Sequence, residues 1–195
     1  INIIRLLGGI RLEPKGQSIE DLFSDVLNES VVLPSDIPDI DLYIDQITTL
    51  FEDKIKDSKR NDDDKLITKT MVNNYSKAGL IKPIKGKKYS KEHIIQMLII
   101  YQMKQIISIS DIKSAFDFCK SDQSSLINTY TEFVNKRQLR AQKANDVTAA
   151  LISAETGSAG VDDKLLLIMT LCSMSNYFKR MAEKIIDSCS EQKSV

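Results

Sequence analysis

The feature that most constrains this chain is the punctuation between Thr68 and Ser90. A helical pattern starts at Thr68, with Met71, Val72 and Tyr75 on one face. It stops at Ala78–Gly79, where glycine takes the left-handed conformation that closes a helix. Pro83 bars the helix from resuming, and Gly86 sits in a lysine-rich turn that reads as a small two-stranded hairpin. Ser90 then caps a further helix from Lys91 to about Ile107, carrying Ile94, Ile95, Leu98, Tyr101 and Met103. Ser108 caps a shorter one with Ile109, Ile112, Ala115 and Phe116.

The rest of the chain is also predicted to be mainly helical. Ser18 caps a short amphipathic helix through Leu27, with Ile19, Leu22, Phe23, Val26 and Leu27 on one face. Pro34 and Pro38 break regular structure, and Asp39 or Asp41 starts a helix to about Lys56. KDSKRNDDDK reads as an exposed loop. Apolar residues from Leu126 to Leu151 allow one long helix, or two broken near Asn145. TGSAGV, residues 156–161, is a loop, and Asp162–Asp163 favour the start of a last helix to about Asp187. That helix is apolar nearly all round at LLLIMTLCSM, as suits burial in its own core or against another subunit.

Charge is distributed unevenly. The chain is formally neutral, but residues 1–64 hold seven basic and fifteen acidic side chains. Residues 65–93 hold eight lysines (65, 69, 77, 82, 85, 87, 88 and 91) and one acid, Glu92. Such a local excess is the footprint that a polyanion requires. A helix placed in a major groove offers base contacts from exposed polar residues near its start. Thr68, Lys69, Thr70, Asn73 and Asn74 have that character, and asparagine can pair bidentately with adenine. Lys77, Lys85, Lys87 and Lys88 flank that helix and occupy the turn as phosphate contacts. Tyr75 either bonds a phosphate through its hydroxyl or is a core aromatic with a wet tip, and Tyr89 reads as an anchor to the core.

Residues 68–93, TKTMVNNYSKAGLIKPIKGKKYSKEH, resemble the DNA-binding region of MerR-type transcription regulators. That resemblance rests on Tyr75 followed by Gly79-Leu80-Ile81-Lys82-Pro83, on Lys87-Lys88-Tyr89-Ser90, and on Ser108-Ile109-Ser110-Asp111-Ile112. It covers residues 65–119. It implies a mainly α, winged helix-turn-helix fold with a small β-hairpin wing, followed by a C-terminal helical dimerisation region. The stretch IPDIDLYIDQITT, with the later motifs, is also similar to an uncharacterised bacterial family known only as a domain of unknown function, over 35–119. The expected organisation is an N-terminal extension over 1–34, the winged domain over 35–119 and a helical domain over 120–195.

The implied activity is transcriptional regulation through double-stranded DNA, as a cytoplasmic homodimer held by the C-terminal helices. The C-terminal part also offers a place for a small-molecule effector, with no convergent polar set to identify it. Two positions that carry arginine in the resembled family hold Asn73 and Lys87, and lysine does not fork onto guanine as arginine does. The alternative reading is therefore a protein-interaction module on a winged-helix fold that does not bind DNA.

Enzymatic chemistry is not expected. His93 is the only histidine and has no ligand-spaced carboxylate or cysteine. Asp62-Asp63-Asp64 lacks the spacing and terminal glutamate of a calcium loop. No GxGxxG, Walker A or GxSxG motif is present. Cys119, Cys172 and Cys189 form no CxxC pair and read as inert thiols in a reducing compartment. No catalytic residue, metal or cofactor is expected. The longest uncharged stretch, Leu165 to Phe178, is too short to span a bilayer, and the apolar start of the chain lacks an A-x-A-like cleavage site.

Overall fold

Helix α4, Lys91–Met103, is the element around which the larger unit of this protein is packed. In the computed structural model, which describes residues 19–28, 30–84, 86–118, 123–157 and 160–191, it buries Ile94, Ile95, Gln96, Met97, Leu98, Ile100 and Tyr101. A helix apolar nearly all round must be enclosed on every side. Its neighbours supply that enclosure. Helix α2, Ile44–Ile55, brings Ile47, Phe51 and Ile55, spaced four apart on one face. Helix α3, Lys69–Lys77, brings Val72 and Tyr75. Helix α5 spans Ile109–Phe118 and adds Ile112, while helix α6, Gln123–Asn135, adds Leu126, Tyr130 and Val134. Phe51 meets Tyr101 edge to face, with ring centroids 6.3 Å apart.

The fold is mainly helical with a small two-stranded antiparallel sheet. Strand β1 is Leu42–Tyr43 and strand β2 is Lys88–Tyr89, with Leu42 opposite Tyr89 and Tyr43 opposite Lys88. Side chains alternate across a strand, so Leu42 and Tyr89 enter the core while Tyr43 and Lys88 face out. The expected hairpin across Gly86 is replaced by this longer-range pairing. Three local facts account for it. Pro83 has no amide hydrogen to offer a ladder. Leu80 and Ile81 are drawn into the core. The Lys82 N–H is directed to Gln96 Oε1, at 3.4 Å.

Other expected boundaries move for equally local reasons. Leu42 and Tyr43 are strand rather than helix, and the Tyr43 N–H is held by Gln46 Oε1 at 2.9 Å, which starts α2 at Ile44. Helix α4 ends at Met103 instead of Ile107, because the N–H groups of both Ile106 and Ile107 converge on the Met103 carbonyl in a turn. The long apolar region divides at Lys136, between α6 and helix α7, Arg137–Glu155, while Asn145 stays helical. The last helix, α8, runs over Asp163–Glu191.

The chain divides into two compact units, one of residues 1–29 with 136–176 and one of residues 30–135 with 177–195. The smaller core joins Ile19 of helix α1, Ile19–Leu27, to Ile152 of α7 and Leu167 of α8, with Phe23 and Leu171 packed against them. Leu22 and Val26 of α1 are exposed. At the head of α8, Asp162 Oδ1 accepts the Leu165 N–H at 2.9 Å, which satisfies one orphan donor of the first turn. The apolar segment after it is only partly enclosed: Leu167 is buried, whereas Leu165, Ile168 and Met169 are exposed.

In the larger unit, a buried hydrogen bond of 2.7 Å runs from the Tyr130 hydroxyl of α6 to the Val32 carbonyl. Burial, with the charge of Asp36 adding to it, holds that phenol far above its ordinary pKa, so it remains a donor across the usual pH range. Tyr130→Phe would leave the carbonyl buried and unpaired. The expected cost is about 1–3 kcal/mol in urea-monitored stability, with helix content unchanged by circular dichroism.

Candidate functional site

Helix α3 has two faces of opposite character. Val72 and Tyr75 point into the core, and Tyr75 is only 7% exposed. Burial raises the pKa of its phenol. The Tyr75 ring therefore belongs to the core, apart from the exposed row. That row consists of Lys69, Thr70, Asn73, Asn74 and Lys77, at the three- and four-residue spacings that keep side chains on one surface of a helix.

Both ends of α3 are held. Thr68 stands in extended conformation ahead of it, and its Oγ1 accepts the Met71 N–H at 3.1 Å. This is an N-cap, so the hydroxyl of Thr68 already serves the helix. At the other end Gly79 has φ +74°, the Leu80 N–H reaches back to the Tyr75 carbonyl at 2.9 Å, and the Gly79 N–H reaches the Ser76 carbonyl at 3.0 Å. These two bonds form a Schellman closure, and buried Leu80 locks it to the core. A residue with a Cβ is disfavoured at that φ.

The lysines of residues 65–93 fall into two groups. Lys82 pairs with Glu92 at 2.8 Å, and Lys91 pairs with Asp39 at 2.8 Å, which holds the Asp39 carboxyl below its ordinary pKa. Their charge is therefore largely balanced in place. Lys65, Lys69, Lys77, Lys87 and Lys88 are exposed and form no ion pair among the described residues. The Lys88 ammonium lies 5.0 Å from the ring centroid of Tyr43, its cross-strand neighbour. Lys85 lies outside the described residues.

Two cations outside the sequence-predicted set approach α3 from other helices. The Lys104 ammonium, at the C-terminus of α4, lies 3.9 Å from Met71 Sδ and 5.3 Å from the Tyr101 ring centroid. Burial lowers its pKa. The Lys113 ammonium, on α5, lies 3.6 Å from where a Cβ would stand on Gly79. Their only sequence signal is basic character on the helices that follow, since their approach to α3 is a tertiary contact.

His93 and Asp64 have structural partners. His93 Nδ1 accepts the Ser90 N–H at 3.2 Å and stands 2.7 Å from Ser90 Oγ, so the imidazole completes the cap of α4. Asp64 Oδ2 accepts the Asn61 N–H at 3.0 Å in an exposed turn. Cys172 is exposed, Cys189 is partly buried and Cys119 lies outside the described residues. Among the described residues no cluster of three or more histidine, cysteine, aspartate or glutamate side chains is arranged to hold a metal ion. No described helix is long and apolar enough to cross a membrane.

Fold and site thus define a mainly helical domain with a small antiparallel sheet and a cationic, hydrogen-bonding row on a short helix. The chain belongs to the family described as Domain of unknown function (DUF1836), whose model matches residues 32–134, just over half of the 195 residues. The matched segment begins at the acceptor of the Tyr130–Val32 hydrogen bond and ends at buried Val134. No curated protein and no solved structure matches the chain.

Proposed function

We propose that the larger unit is a MerR-like winged helix-turn-helix domain and that the protein is a cytoplasmic, DNA-binding transcriptional regulator. The observation that carries this reading is the exposed row of α3, set on a helix that is capped at both ends and anchored by Val72 and Tyr75. In this reading α2 and α3 form the helix-turn-helix, and α3 enters the major groove of double-stranded DNA. Asn73 and Asn74 read base edges, with adenine as their natural partner. Lys69 and Lys77 neutralise phosphates, Thr70 donates a hydroxyl, and Lys88 of β2 with Lys87 in the turn before it act as the wing.

A homodimer belongs to the same reading. On α8 the apolar residues Leu167, Leu171, Met174, Phe178, Met181 and Ile185 recur at alternating spacings of four and three, the periodicity of a coiled-coil seam. The first two join the small core, while Phe178, Met181 and Ile185 are 60%, 60% and 65% exposed. A second copy of α8 is their proposed cover. Sedimentation of the full chain is expected to give a dimer that a Phe178→Glu/Ile185→Glu variant dissociates; a wild-type monomer at high micromolar concentration overturns this part.

The function itself is tested by titrating the full-length protein into a labelled random-sequence duplex across a salt series. Binding is expected to weaken steeply with salt, and Lys87→Glu/Lys88→Glu should flatten the log–log slope by about 0.9 for each phosphate that is no longer neutralised. Absence of wild-type binding at low salt would overturn the proposal in favour of a protein-interaction module. Asn73 and Lys87, at positions where the resembled family has arginine, favour that second reading.

A further inference from the structure

We infer that Lys104 and Lys113 bracket α3 as two further phosphate-contacting residues, one at each end of the helix. This rests on the DNA-binding reading and deepens it, because it assigns backbone contacts to α4 and α5, outside the lysine-rich segment and the wing.

The geometry is specific. Met71 is the third residue of α3 and Gly79 is the residue just past its C-cap, Ala78. The Lys104 ammonium sits at the first of these and the Lys113 ammonium at the second. At about 1.5 Å per residue the two positions are roughly 12 Å apart along the helix. A helix seated in the major groove therefore carries one cation near each of its ends.

Neither ammonium has a carboxylate partner among the described residues. Lys82 and Lys91, which sit in the most basic stretch of the chain, both do. Lys104 is partly buried against Tyr101 and Met71, so it bears a desolvation penalty that no described carboxylate offsets. A phosphate oxygen supplies that missing charge. Lys113 lies over the closing turn of α3, where the helix dipole also favours a cation. The dipole alone would make it a stabilising residue only, and that difference is measurable.

Contacts of this kind are sequence-independent. Lys104→Met, Lys113→Met and the double variant of the full-length protein should be compared with wild type on two unrelated duplexes across a salt series. Urea unfolding of each variant reports separately on packing. Each single variant is expected to weaken binding to both duplexes equally and to reduce the salt slope by about 0.9, the double variant by about twice that. Lys104→Arg, which keeps the charge, should retain the wild-type slope. Lys143→Met, a charge removed from the smaller unit, should also leave it unchanged.

A slope unaltered in the Lys104 and Lys113 variants, while wild type binds and Lys87→Glu/Lys88→Glu weakens it, overturns this inference and leaves the DNA reading intact. An equal reduction in Lys143→Met also overturns it, by showing a general charge effect. Wild type that binds no duplex removes both.

Discussion

Everything in the larger unit depends on enclosing α4. Seven of its residues are buried, and each large apolar side chain removed from water contributes roughly 1.5–3 kcal/mol. No single neighbour can cover such a helix. α2, α3, α5, α6 and the small sheet each cover part of it, and segments distant in sequence are drawn together as a result. The Tyr130–Val32 hydrogen bond is one consequence: residues 98 positions apart meet where α6 closes the core. The limits of the family match, 32 and 134, fall on this closure, as expected if the family's common element is the enclosed helix and its cover.

The exposed row of α3 inherits its position from that core. A helix of nine residues is too short to be stable alone. Its registration comes from Val72 and Tyr75 on the buried side, from Thr68 at the start and from the Gly79 closure at the end. With those restraints in place, its solvent face is released from any structural duty. Five side chains able to donate hydrogen bonds or carry positive charge occupy it, and none of its lysines is neutralised by a described carboxylate. Donors and cations set on a rigid face in this way suit phosphate oxygens and base edges.

Much of this is legible in the sequence because helix caps are local. Thr68, Gly79, Ser90 and Ser108 each act within four residues of themselves, and the structure has caps or closures at all four. The Val72 side of α3 follows from spacing for the same reason. What the sequence leaves open is set by distance. β2 pairs with Leu42–Tyr43, more than forty residues away, because Pro83 and the buried Leu80 and Ile81 deny it a local partner. Spacing alone does not decide Tyr75 between core and surface, since only the fold determines which side of α3 faces α4. Lys82 and Lys91 count toward the basic footprint, yet each meets a carboxylate that only the folded chain brings near. Lys104 and Lys113 carry no motif of their own, because their approach to the two ends of α3 is a property of packing.

The central claim is that the exposed face of α3 meets duplex DNA. Amide chemical-shift mapping of the isotope-labelled, full-length protein during titration with a duplex tests it most directly. The account predicts that the largest changes fall on residues 69–77 and on Lys87 and Lys88, with α7 little affected. Saturating duplex that leaves the α3 amides in place, or that perturbs only residues of the smaller unit, would contradict it.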